Sequence, residues 1–128
     1  MAVFLGGCCG GLGRYAVTEA WPVRADGFPW ATFVVNTAGA AALSLLLVLL
    51  VEARPRDRYL RLTLGTGFLG AWTTFSAVTT QTAELLAHRQ FGTATAYLVA
   101  TVVVGLGAAW LGFRAGRLLT WHRPAGSR

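Results

Sequence analysis

The residues best suited to chemistry lie in Gly65-Thr66-Gly67-Phe68-Leu69-Gly70-Ala71-Trp72-Thr73-Thr74-Phe75-Ser76. Three glycines precede a run of hydroxyl and aromatic side chains inside an otherwise apolar region. A lipid-facing helix gains nothing from such residues. Freed backbone carbonyls at membrane depth are tolerated only where they are buried in protein or line a cavity. The segment therefore reads as a broken helix set against something polar. Three further polar features accompany it. Asn36 offers two amide donors on a face shared with the small Gly39 and Ala40 and with Leu43. Thr93, Tyr97, Thr101 and Gly105 recur every four residues, one stripe of a helix. Arg14 lies in the first apolar run.

Each feature also has a plain packing role. Arg14 snorkels from a helix end in one reading and draws anions to a path in the other. Asn36 bonds a neighbouring helix or a permeating ion. Threonines back-bond their own helix, so the stripe alone carries little weight. The charge pattern separates the classes. No Asp or Glu sits well inside an apolar run; Glu19, Glu52 and Glu84 all fall near ends. A proton-coupled path usually needs a carboxylate in mid-membrane, and a cation path needs carboxylates or rings of carbonyls. What remains is a set of donors: hydroxyls, one amide, and the positive edges of aromatic rings. That lining suits a small, hard anion. There is no nucleophile paired with a base, no phosphate loop and no metal-ligand spacing, so no enzyme is read here. Adjacent Cys8 and Cys9 read as small apolar residues.

These residues need a membrane scaffold. The chain is 55% hydrophobic and only 12% charged, with mean hydropathy +0.54. Soluble domains carry about 25% charged residues. A helix needs ~20 apolar residues to cross a bilayer. Four stretches qualify, at about 2–18, 31–51, 62–86 and 93–113, in a single domain. The first lacks a basic segment before it and reads as a span rather than a cleaved leader. Turn-rich Trp21 to Pro29, charged Glu52 to Arg58 and His88 to Gly92 read as connectors. Trp21, Trp30, Tyr59 and Trp121 fall near span ends, as an aromatic belt requires. Small residues four apart, such as Gly6 and Gly10 or Gly112 and Gly116, allow helices to approach closely.

The net charge is +6, and every basic residue is arginine. Arginines interleaved with apolar runs point to a membrane surface rather than to nucleic acid. Arg54, Arg56, Arg58, Arg61, Arg114, Arg117, Arg123 and Arg128 share one side of a four-span topology; Arg24 and Arg89 take the other. This bias puts both termini in the cytoplasm of a multi-pass plasma-membrane protein.

Gly10-Gly11-Leu12-Gly13-Arg14-Tyr15, Val35-Asn36-Thr37-Ala38-Gly39 and Gly67-Phe68-Leu69-Gly70-Ala71-Trp72-Thr73-Thr74-Phe75-Ser76 each match a motif, and Tyr97 and Thr101 match a fourth. In this order and spacing the chain resembles the Fluc (CrcB) family of fluoride channels over nearly its whole length. The resemblance implies an all-α membrane protein of four transmembrane helices, the third broken, assembled as an antiparallel dual-topology-type dimer in the lipid bilayer. It implies a passive channel that exports fluoride from the cytoplasm and so lowers its toxicity, through two pores along the subunit interface. It implies a structural, untransported Na⁺ at the dimer centre, on the carbonyls of Gly70 and Thr73. Asn36 and Phe75 would line the pore, with hydroxyls from Thr74, Ser76, Tyr97 and Thr101 along it and Arg14 favouring anion entry.

The sequence departs from the family signature at three points. Val78 replaces a second phenylalanine, Gln81 replaces an acidic residue, and Ala71 replaces the second glycine of a pair. Losing an aromatic edge is expected to weaken one pore, and Val78→Phe to raise flux. The chain is then either a homodimer with altered pores or one half of a heterodimer with an inverted paralogue. The uneven arginines favour the heterodimer, because dual insertion needs balanced loops. A non-conducting partner subunit is one rival. A small four-span multidrug or guanidinium transporter is another, but it depends on a first-span glutamate that is missing here.

Overall fold

A computed structural model describes residues 1–22, 27–50 and 57–121. Arg24, Arg54, Arg56, Arg123 and Arg128, on which part of the charge argument rests, lie outside them. The described residues are all-helical, without strands. Helix α1 is Ala2–Ala20, α2 is Trp30–Val48, α3 is Arg58–Leu60, α4 is Gly70–Trp72, α5 is Phe75–Ala87 and α6 is Phe91–Trp121. A stretch of wide π turns, Arg61–Leu69, joins α3 to α4.

Two boundaries differ from the sequence reading, for local reasons. The third helical run starts at Arg58 rather than about residue 62, because the Asp57 carboxylate accepts the Leu60 N–H at 3.0 Å and caps it. The last helix continues to Trp121 rather than stopping near 113. An apolar count stops at the first arginine, whereas Arg, Ala and Leu after Phe113 are good helix formers. Helices α2 and α6 are long and apolar enough to cross a membrane.

Glycines set the helix contacts. Gly6 and Gly10 of α1 are buried against the π turns. A Cβ on Gly10 would collide with the Phe68 carbonyl, and one on Gly6 with the Thr63 carbonyl. Gly67 returns the contact, lying against Val3 and Gly6 of α1. Gly112 of α6 lies on the Ala41 backbone of α2, and Gly116 lies on Val48. Close approach of this kind replaces hydrophobic burial as the source of packing energy between membrane helices. One buried cluster holds Val78, Leu85, Ala94 and Tyr97, with Phe28 and Phe33 packed on it, and Ala31, Val35, Val48 and Leu69 are buried elsewhere. Phe28 meets Tyr97 edge-on at 5.2 Å and Phe33 edge-on at 5.4 Å. By contrast Phe4, Leu12, Val99, Val103, Leu106 and Leu111 are exposed. An apolar exterior this extensive needs an apolar surrounding.

A groove at the helix break

Helical geometry is interrupted at Thr73 and Thr74. Both are extended, with φ −78°, ψ 151° and φ −148°, ψ 117°. Extended residues inside a helical run leave N–H and C=O groups that need partners. Asn36 of α2 supplies them from 38 residues away. Its amide nitrogen donates to the Thr74 carbonyl at 2.9 Å, and its amide oxygen accepts the Thr74 N–H at 2.8 Å. One side chain thus replaces the helical acceptor of the Thr74 N–H and adds a second donor to a carbonyl that, as the N-cap of α5, also takes the first bond of that helix. The Thr74 hydroxyl accepts the Ala77 N–H at 3.2 Å and caps α5. On the other flank, Trp72 donates its indole N–H to the Val35 carbonyl at 2.9 Å and stacks on Phe68 at 5.7 Å. Gly39 allows this approach, since a Cβ there would strike Thr73 Cγ2 and crowd Trp72.

These bonds redirect two helical donors. In an unbroken helix the Gly70 carbonyl would accept from Thr74 N–H, and the Thr73 carbonyl from Ala77 N–H. Here the first donor goes to Asn36 and the second to the Thr74 hydroxyl. Gly70 is exposed and Thr73 half-buried.

Beside the break runs a groove of about 340 Å³, lined by Asn36, Gly39, Ala40, Leu43, Thr73, Thr74, Phe75, Val78, Thr101 and Gly105. Its walls are mostly apolar, with a few polar groups. Phe75 is 76% exposed, so its ring is available to something outside this chain. Ser76 is exposed and lies 3.1 Å from the Thr74 hydroxyl, oxygen to oxygen. The Thr101 hydroxyl is buried and has no hydrogen-bond partner. An unpaired buried hydroxyl on a groove wall costs roughly 1–3 kcal/mol until something pairs with it. Asn36 spends one amide hydrogen on Thr74 and keeps the second. The groove therefore holds donors and no carboxylate.

The structure brings Asn36, Thr73, Thr74, Phe75 and Thr101 to one groove, with Ser76 beside Thr74. Tyr97 and Arg14 are not among the groove's lining residues. Tyr97 is fully buried, and its hydroxyl donates to Gln81 Oε1 at 2.9 Å. Gln81 Nε2 donates in turn to the Thr32 hydroxyl at 2.9 Å. Arg14 has a buried Nε without a partner. It follows Gly13, whose position packs on the Trp72 ring.

The Tyr97–Gln81–Thr32 chain ties α6, α5 and α2 together, and sequence reasoning missed it. A signal existed, because Thr32 precedes Asn36 by four residues and so shares its helix face. Replacing Gln81 by leucine would strand the buried Tyr97 and Thr32 hydroxyls. The expected cost is about 2–6 kcal/mol, at 1–3 kcal/mol for each stranded group. Thermal unfolding in detergent measures it. Gln81→Glu, which still accepts from both hydroxyls, is expected to lose less.

Val78 is only 1% exposed, inside the core cluster as well as on the groove wall. The position is filled rather than vacant. Val78→Phe is therefore expected to overpack this core by about 1–3 kcal/mol. A lower melting temperature in detergent would show it. An unchanged melting temperature with raised fluoride flux would instead restore the aromatic-deficit expectation.

Residues 1–113 match the profile of a family described as CrcB-like protein, Camphor Resistance (CrcB). The chain is 43% identical over 122 residues to Fluoride-specific ion channel FluC 1 of Streptomyces coelicolor, covering 94% of this chain and 79% of that one. Two relatives come from Streptomyces avermitilis. Fluoride-specific ion channel FluC 3 is 42% identical over 95% of this chain and 60% of its own length. Fluoride-specific ion channel FluC 2 is 42% identical over 78% of this chain and 63% of its own length.

Proposed function

The chain belongs to the CrcB family, and from that premise we propose that it is a passive, fluoride-selective channel of the cell membrane that lets fluoride leave the cytoplasm. The observation that carries the reading is the Asn36 clamp on Thr74, which holds open a helix break beside a donor-lined groove free of carboxylates. Fluoride is small and strongly hydrated, so stripping its water is costly. A path for it must replace that water with donors and still release the ion. The second Asn36 amide hydrogen, the Thr101 hydroxyl and the Phe75 ring edge can share the task. Arg14 would raise the local concentration of anions.

In this reading α1, α2, the run from Arg58 to Ala87 and α6 each cross the bilayer. The exposed Phe75 ring and the exposed apolar faces meet a second, inverted subunit or lipid. The carbonyls of Gly70 and Thr73 fit a hard cation such as Na⁺, which takes oxygen ligands, because their helical donors are directed elsewhere. Such an ion would be structural, drawing two copies of the break together.

The uneven arginines favour one fixed orientation, with both termini cytoplasmic, and so a heterodimer with an inverted paralogue. Relatives named FluC 2 and FluC 3 both occur in S. avermitilis, as pairing of unlike chains requires. Fluoride efflux from liposomes holding the chain alone, and the chain with its paralogue, tests both points. Efflux insensitive to a proton gradient is the expected result, and strict proton coupling would sink the channel reading. Robust efflux from the chain alone would overturn the heterodimer.

A further inference from the structure

We propose that the outer face of α6, near its C-terminal end, is a binding site for an anionic phospholipid, with Arg114 and Arg117 holding the phosphate. The proposal rests on the membrane insertion proposed above, though not on fluoride conduction. A cavity of about 450 Å³ there is lined by Phe113, Arg114, Arg117 and Leu118. The Arg114 guanidinium carbon lies 5.4 Å from the centre of the Trp110 ring, a cation–π contact that orients the fork.

Helical phase puts this face away from the rest of the chain. Gly112 and Gly116 lie against α2. Arg114 lies two residues from each, roughly 200° around the axis. Trp110, Arg114, Arg117 and Leu118 stand at i, i+4, i+7 and i+8, on one side. All four are exposed.

Depth points to the same ligand. From Phe91 to Phe113 the helix rises roughly 34 Å, at ~1.5 Å per residue. The hydrocarbon core is about 30 Å thick. Arg114 and Arg117 therefore reach the headgroup level, with Trp110 one turn inside them. Guanidinium forks match phosphate geometry. The apolar walls, Phe113 and Leu118, continue into the exposed Leu111, and acyl chains can lie along that line. Lipid supplies both halves of this complementarity, whereas a free anion supplies one.

The test uses the full chain, purified in detergent and mixed with phosphatidylglycerol and phosphatidylcholine, with bound lipid read by native mass spectrometry. Wild type is expected to favour phosphatidylglycerol by about twenty-five-fold, each arginine contributing the factor of about five gained by a basic residue at an anionic surface. The double variant Arg114→Gln/Arg117→Gln is expected to show no preference, and Arg89→Gln to keep it. Should the double variant not fold, each single exchange is expected to cut the preference about fivefold. No preference in wild type, or no reduction in either single variant, overturns the site. Displacement of bound lipid by millimolar inorganic phosphate also overturns it, since the ligand would then be a free anion. Fluoride efflux from the same preparations is read separately. A conducting wild type without lipid preference loses this site and keeps the channel; a lipid-selective protein that never conducts does the reverse.

Discussion

Asn36→Asp is expected to abolish fluoride flux. The exchange is nearly isosteric, so packing changes little, and its effect comes from hydrogen bonding and charge. Asn36 donates to the Thr74 carbonyl at 2.9 Å and accepts from the Thr74 N–H at 2.8 Å. An aspartate still accepts, but it turns a second oxygen toward the carbonyl. The Thr74 carbonyl loses the Asn36 donor, keeps only its bond within α5, and faces a repelling oxygen, at a cost of about 1 kcal/mol. The groove also gains a negative charge. At ~5 Å and an effective dielectric constant of about 20, a carboxylate repels fluoride by roughly 3 kcal/mol. At ~1.4 kcal/mol per decade, that alone slows passage more than about a hundredfold. Fluoride efflux from liposomes measures it, with the elution profile in detergent reporting assembly. Asn36→Ala loses the clamp without adding charge, and is expected to conduct more than the aspartate. Flux near the wild-type level in Asn36→Asp would remove Asn36 from the path.

Gly10→Val is expected to prevent assembly altogether. The Cβ of any residue at this position meets the Phe68 carbonyl oxygen, with the carbonyl carbon at 2.8 Å and Cα at 3.0 Å. These are backbone atoms, so no rotamer change relieves the contact. Helix α1 must move off the π turns, and Gly6, one turn away, loses its contact with Thr63. The expected loss is about 3 kcal/mol or more, among the larger effects of single exchanges. The measurement is the yield of monodisperse protein in detergent and its melting temperature. Gly11→Val is the control, because nothing outside the local backbone of α1 lies within 4 Å of its Cβ position. Equal loss in the two variants would mean that helix propensity, not close approach, governs α1.

The helical class and an irregularity within Gly65–Ser76 are legible from residue types alone, since glycines followed by hydroxyls in an apolar run are a local pattern. Asn36, Thr74, Phe75 and Thr101 meet at one groove from three different elements, and no helical spacing gives that convergence. The means by which the break is held is not legible. The clamp joins a side chain to a peptide 38 positions away, and no periodicity encodes such a bond. Gln81 shows the same limit. In sequence it stands only as a departure from an acidic residue, while in the fold it accepts from Tyr97 and donates to Thr32. A carboxylate could not do both, so the amide suits a junction between a buried phenol and a buried threonine. The π turns from Arg61 to Leu69 leave no clear mark either. They contain Gly67, which lies against Val3 and Gly6 of α1, and Gly65, whose nearest neighbour is Leu46 of α2.

The Asn36 clamp has a consequence for biogenesis. A segment from Arg58 to Ala87 that enters lipid by itself satisfies its backbone best as one continuous helix, because an extended Thr73–Thr74 pair would face hydrocarbon unpaired. The break is thus not a property of that segment but of its encounter with α2. Chain order assists, since α2 leaves the ribosome first and already presents Asn36 when the later segment arrives. On the proposed channel reading, in which this run crosses the bilayer, the bend would be installed during docking, as a late step of assembly rather than of insertion. Misfolded Asn36 variants should accordingly accumulate as straight, fully inserted helices that escape quality control for insertion and fail that for packing.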